Sequence, residues 1–151
     1  MPLEVFHTAV DWIEATFPAD EPIDLTFHGG EPLVAGLAWY ERSLPILRDR
    51  LGNRLKLHIQ SNLWGLDDAH CALFKEYGLS LGTSLDGPER INDRQRGRGY
   101  FARTMAGIGT ARDNGLTVGV ICTFTRLSAP YYPEVCEFFA DEGLSFSVHA
   151  A

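Results

Sequence analysis

Cysteine is scarce in this chain and widely scattered: Cys71, Cys122 and Cys136 are all of it. An odd count at such spacing excludes a disulfide framework and any local metal knuckle. Cys71 and Cys136 fall in helical patterns and Cys122 in a strand pattern, so all three read as buried, inert thiols. Positive charge is short as well, with 13 Lys and Arg against 20 Asp and Glu and a net charge of −7 over 151 residues. A polyanion-binding surface needs clustered basic residues, so nucleic acid is not an expected partner. No apolar run has the length of a membrane span, and the N-terminus lacks a basic stretch followed by an apolar one. The expectation is a cytoplasmic protein with no membrane partner. Repeats, low-complexity tracts and linkers are also missing, so residues 1–151 read as one domain.

What is present is an ordinary globular composition, 45% apolar and 22% charged, in which the apolar period switches repeatedly. Leu3, Phe6, Val10, Ile13 and Phe17 keep a helical spacing that Pro18 stops. Ile23 to His28 alternates like a strand. Helices are expected over Leu37–Leu51, Asp67–Tyr77, Tyr100–Asn114 and Tyr132–Glu142, the last with Pro133 in its first turn. Strands are expected over Leu55–Gln60, Leu79–Ser84, Thr117–Phe124 and Ser145–His149. Helix and strand alternate five times, the order of an α/β protein with a parallel sheet and helical crossovers.

The connections are lopsided. Helix-to-strand links are as short as Gly78 alone, whereas the strand-to-helix links Gly29–Gly36, Ser61–Leu66, Leu85–Gly99 and Thr125–Tyr131 are longer. Those longer loops lie at the carboxyl ends of the strands, where parallel α/β folds bind ligands. Each strand also has one polar or small face, marked by Thr26 and His28, His58 and Gln60, Gly82 and Ser84, Gly119 and Thr123, and Ser147 and His149. A strand covered on both sides is apolar on both. The pattern therefore reads as a lumen that holds water or a polar ligand, or as a sheet with one solvated face.

Three motifs follow strands directly. Phe27-His28-Gly29-Gly30-Glu31-Pro32 combines two permissive glycines, which let a ligand approach the main chain, with a carboxylate suited to an ammonium group. It also reads as a tight strand-to-helix turn. Gln60-Ser61-Asn62 offers amides and a hydroxyl to a ribose or a base, or a cap to the next helix. Ser84-Leu85-Asp86-Gly87-Pro88 makes a sharp turn, after which Arg94, Arg96 or Arg98 either grips a carboxylate or belongs to a solvated, charged loop.

In this order, at successive strand ends, these motifs resemble the radical S-adenosylmethionine (SAM) superfamily, in its branch of peptide- and protein-modifying maturases such as the anaerobic sulfatase-maturating enzymes. That branch carries Gly-Gly-Glu-Pro, Gln-Thr/Ser-Asn-Gly and Ser-Leu-Asp-Gly-Pro followed by His-Asp and Arg. Tyr100-Phe101…Met105…Gly107-Ile108 resembles the helix beyond. The resemblance implies a partial (β/α) barrel of parallel strands with outer helices, its first strand missing. It implies that the Gly29-Gly30-Glu31 turn meets the methionine ammonium of SAM, that Ser84 and Arg96 take its carboxylate, and that Asn62 lies along the nucleoside. The departures are Leu63 for a small residue, Asn92 for His and Gln95 for an aromatic.

The resemblance also implies a four-iron, four-sulfur cluster in a complete enzyme, held by Cys-x-x-x-Cys-x-x-Cys after the first strand. No such motif occurs here, so the chain is expected to be the SAM-binding portion, cut at both ends and inactive alone. A complete enzyme would act on a peptide or protein side chain, and exposed sheet edges would favour self-association. Two other readings stand beside this one. His28, His58 and His149 could bind zinc in a barrel hydrolase, or the chain could bind SAM or a peptide without turnover.

Overall fold

The computed structural model describes residues 1–151. The chain folds as α1 (Leu3–Thr16), β1 (Ile23–Phe27), α2 (Leu37–Leu51), β2 (Leu55–Gln60), α3 (Asp68–Glu76), β3 (Leu79–Ser84), α4 (Glu89–Arg96), α5 (Tyr100–Asp113), β4 (Val118–Phe124), α6 (Tyr132–Asp141) and β5 (Phe146–Ala150). The five strands form one sheet in sequential order, every pair parallel. The register aligns Thr26 with His58 and Ser80, then Gln60 with Gly82 and Gly119. This is the expected α/β half-barrel.

Period-two alternation decides what the sheet buries. In β2, Leu55, Leu57 and Ile59 are buried, whereas Lys56, His58 and Gln60 are exposed or half-buried. β3 and β4 follow the same phase, and the apolar face of the sheet merges with the helices in one core of 28 residues. The opposite, polar face carries no helix. β1 and β5 each pair on one side only. No helix is long and apolar enough to cross a membrane.

One element departs from the sequence reading. Leu85–Gly99 was expected as a continuous loop, but Glu89–Arg96 forms α4. Only one apolar residue, Ile91, lies within those eight positions, so there was no period to detect. The helix stands on Pro88 before its first turn, acidic Glu89 within it, and Arg94 and Arg96 in its last turn. It buries Ile91 and Asn92. Elsewhere the expected boundaries hold to about one residue, within the usual uncertainty of helix ends.

α5 lies very close to the loop after β2. A Cβ on Gly107 would stand 2.5 Å from the Leu63 carbonyl oxygen and 2.6 Å from the Leu63 Cβ, whereas one on Gly109, a turn surface away, would meet nothing within 4 Å. Gly107→Ala should therefore destabilise the fold by about 1–3 kcal/mol, as overpacking does. Gly109→Ala should stabilise it by about 0.5–1 kcal/mol through helix propensity. Urea denaturation of both variants checks this pair, and equal shifts would contradict the close packing of α5.

Candidate cofactor-binding site

The site is built from the loops at the carboxyl ends of β1, β2 and β3. In the first, Gly29 and Gly30 adopt φ of 86° and 47°, and a Cβ on either would meet nothing within 4 Å. Their main chain is thus open to a ligand, in a conformation that side-chain-bearing residues adopt only at a cost. Neither glycine carbonyl accepts a backbone hydrogen bond. Glu31 is half-buried. Its Oε1 accepts from the Leu33 amide (2.9 Å) and the Ser61 hydroxyl (2.6 Å), and its Oε2 from the Asn62 amide (2.8 Å). Tyr40 donates to the Pro32 carbonyl at 3.0 Å. Burial first, and the Glu31 charge second, push the Tyr40 hydroxyl well above its ordinary range. A cleft of about 340 Å³ opens beside this turn, lined by Phe27, Gly29, Glu31, Val34 and Trp39 among others.

The second loop turns sharply. The Ser61 hydroxyl accepts from the Leu63 amide at 2.9 Å, and Asn62 Oδ1 accepts from the Trp64 amide at 2.9 Å. Both contacts are the local bonds by which Ser and Asn form turns. Leu63 is buried with φ of 64°, the left-handed region that glycine adopts most easily and a side-chain-bearing residue only at a cost. The Trp64 indole donates to Thr104 Oγ1 at 3.1 Å, and the Arg103 guanidinium stacks 3.6 Å from its ring centre.

The third loop is organised by Asp86, which is 2% exposed. A carboxylate so buried requires compensation. Arg96 Nη2 donates to Oδ1 at 2.9 Å, and Nε lies 2.7 Å from Oδ2, although Nε makes no well-aligned hydrogen bond. That second contact therefore rests on charge more than on direction. The Thr123 amide of β4 also donates to Oδ1 (2.8 Å), and the Asp86 amide donates to Asn92 Oδ1 (3.0 Å). Burial alone would lower the Arg96 pKa, but the hydrogen bond and charge of Asp86 outweigh it and raise it. Asp93 receives the amides of Gly99 and Phe101 and so ties α4 to the start of α5. Gln95 donates to the Thr123 carbonyl at 3.2 Å.

The structure thus places every expected site residue at one end of the sheet. Glu31 and Asn62 are in direct contact. Ser84 lies on the polar face, where its Oγ accepts from Gln60 Nε2 at 3.2 Å, and no hydrogen bond links it to Glu31 or Asn62. Arg96 is brought to the end of β3 by Asp86, and no hydrogen bond links it to Ser84. Arg94 and Arg98 are exposed. The sequence reading did not single out Asp86, Asn92, Asp93 or Ser61 as the residues holding the site together. The available signal was Asp86 itself, an acid placed between Leu85 and Gly87 directly after the end of a strand.

Two expectations are refined here. Cys71 and Cys122 are buried, and burial raises both thiols, Cys122 up to about 12; Cys136 is only partly buried. His58 Nε2 lies 3.1 Å from Asp24 Oδ1, but no group of three His, Cys, Asp or Glu is placed to hold a metal ion. The zinc reading of His28, His58 and His149 therefore has no ligand set.

Residues 8–144 match the family described as the radical SAM superfamily. The chain belongs to this superfamily. Similar proteins include an uncharacterised protein of Methanothermobacter thermautotrophicus, 43% identical over 100% of this chain and 57% of that protein. A serine-type anaerobic sulfatase-maturating enzyme of Bacteroides thetaiotaomicron is 28% identical over 77% of this chain and 29% of its own length. The solved structure of native anSMEcpe with bound AdoMet and Kp18Cys peptide covers 99% of this chain and 43% of its own, with a TM-score of 0.87 and 20% identity. That last likeness shows the fold. The radical SAM chain spans 57% and 29% of the length of these two curated relatives.

Two cofactors are implied by this family. An iron–sulfur cluster is typical of it, but the residues present do not fit one: the three cysteines lie on separate elements and no donor cluster exists. SAM fits better. The main chain at Gly29 and Gly30 is open, and a polar groove of about 340 Å³ runs past Thr26, His58, Gln60, Ser80 and Gly82 on the uncovered face.

The carboxylates that hold these loops make the fold acid-sensitive. Asp67, which caps α3, is held low first by the His70 amide and then by its ring. Burial would raise Asp93, but the Phe101 and Gly99 amides and the Asn92 side chain hold it below the usual range. Both folded values lie below an unfolded value of about 3.9. Their contribution is complete above that value and is lost as pH falls through the folded values. Urea midpoints should be flat from about pH 7 to about pH 5 and fall below about pH 4. Asp93→Asn should lower the neutral midpoint and shrink the acid decline, and a midpoint that rises in acid would contradict these bonds.

Proposed function

We propose that this chain is the SAM-cradling part of a radical SAM enzyme that modifies a side chain of a peptide or protein, and that alone it binds SAM without turning it over. The observation that carries this reading is the convergence of Gly29, Gly30, Glu31, Asn62, Ser84 and Arg96 on the carboxyl ends of three adjacent strands, in the order of the maturase motifs. Relatives named as sulfatase-maturating enzymes, and a fold neighbour solved with AdoMet and a peptide, support the choice of ligand and substrate class.

In a complete member of this family, SAM that had taken one electron from the iron–sulfur cluster and released methionine would supply a 5′-deoxyadenosyl radical to remove hydrogen from a substrate side chain. The residues here bind and orient. In the Gly29-Gly30-Glu31 turn, the Gly29 and Gly30 main-chain carbonyls, which accept no backbone hydrogen bond, face the methionine ammonium. Arg96, with Nε and Nη2 engaged by Asp86, turns its remaining Nη1 edge to the carboxylate, and the Ser84 hydroxyl shares that group. Asn62 Nδ2 lies along the nucleoside. The uncovered polar face admits the substrate, and the two unpaired edges of β1 and β5 favour association of the chain with itself.

Calorimetry with SAM on folded variants tests this. Arg96→Lys keeps the charge beside Asp86 but loses the planar fork, and should weaken binding about tenfold. Ser84→Ala should weaken it several-fold, and Arg98→Ala should leave it within about twofold, as an exposed charge does. Equal losses at Arg96 and Arg98 would mean that the loop after β3 does not face the ligand.

A further inference from the structure

Glu31 is the residue whose observed contacts fit least well with direct ligand recognition. A carboxylate offers about four acceptor positions. Three of them are taken by neutral donors of the chain itself: the Leu33 amide, the Ser61 hydroxyl and the Asn62 amide. Two of these donors lie some 30 residues away, on the loop after β2. The consequences spread beyond the pair. The Ser61 hydroxyl that donates to Glu31 also receives the Leu63 amide, so it fixes the left-handed turn at Leu63, against which Gly107 of α5 packs. Asn62, held by its amide, receives the Trp64 amide on Oδ1, and Trp64 reaches Thr104 on α5. The Gly29 and Gly30 carbonyls next to Glu31 meanwhile accept no backbone bond.

We infer that Glu31 is a positioning residue, a clasp that locks the loops after β1 and β2 to each other, and that its side chain does not itself touch the ligand. This deepens the SAM-binding reading and rests on it only for the ligand's identity. A carboxylate is required because all three partners donate; an amide in its place would turn a donor toward one of them and leave that contact unmade.

The clasp is read first without ligand, from amide hydrogen exchange at Leu33, Asn62 and Leu63 in this chain. Glu31→Gln and Ser61→Ala should each accelerate exchange there about tenfold. The double variant should lose little more than the worse single one, and Ser61→Thr, which keeps the hydroxyl, should restore protection. The second reading compares SAM with 5′-methylthioadenosine, which lacks the amino and carboxylate groups. In Glu31→Gln the affinity for both should fall by the same factor. Unchanged exchange in Glu31→Gln and Ser61→Ala, or a loss confined to SAM, overturns the clasp and makes Glu31 a direct ammonium partner. If the unaltered chain binds neither ligand, the proposed function fails while the exchange data still decide the clasp. If Glu31→Gln does not fold, the contrast between Ser61→Ala and Ser61→Thr decides it.

Discussion

Strict alternation along five parallel strands lets the sheet bury only one of its faces, and the rest of the molecule follows from that constraint. Leu57, Ile59, Leu81 and Val120 face the helices and join a single core, so every helix is drawn to that side. Thr26, His58, Gln60 and Ser84 are left on the other face, where Gly82 and Gly119 stand side by side in register without side chains. An apolar residue there would close the groove or expose itself to water. The polar face and the loops at its carboxyl end combine concavity, open main chain and polar side chains.

The loops at that end are not held by apolar packing alone. Three carboxylates, Glu31, Asp86 and Asp93, each gather donors from elsewhere in the chain and join a different pair of elements: β1 to the loop after β2, β3 to β4 and α4, and α4 to α5. Bonds to ionised acceptors are stronger than neutral ones and fix direction as well as distance. Such a lattice suits a site that must hold a charged small molecule in one pose, since little reorganisation remains to be done on binding.

Most of the architecture was legible in the sequence because it depends on period. Strands and helices with three or more phased apolar residues, such as β2 with Leu55, Leu57 and Ile59 or α1 with Leu3, Phe6, Val10 and Ile13, announce themselves. α4 did not, since Ile91 is its one apolar residue and its helix is stabilised by Asn92 and by charges at its ends. The positions of Gly29, Asn62, Ser84 and Arg96 at successive strand ends were also legible, from motif order. What each side chain touches was not. Glu31 and Arg96 read as groups waiting for a ligand, but Glu31 is engaged by two loops and Arg96 by Asp86, contacts between residues distant in sequence that no local pattern encodes.

On the proposed function, the ligand's methionine end lies at the carboxyl ends of β1 to β3, on the polar face. Titration of the isotopically labelled chain with SAM, followed by backbone amide chemical shifts, tests it most directly. Saturable shifts are expected at Gly29, Gly30, Asn62, Ser84 and Gly87, with β5 and the outer faces of α1 and α2 unmoved. Shifts centred on β5 or the helical side, or none at millimolar SAM, would contradict it.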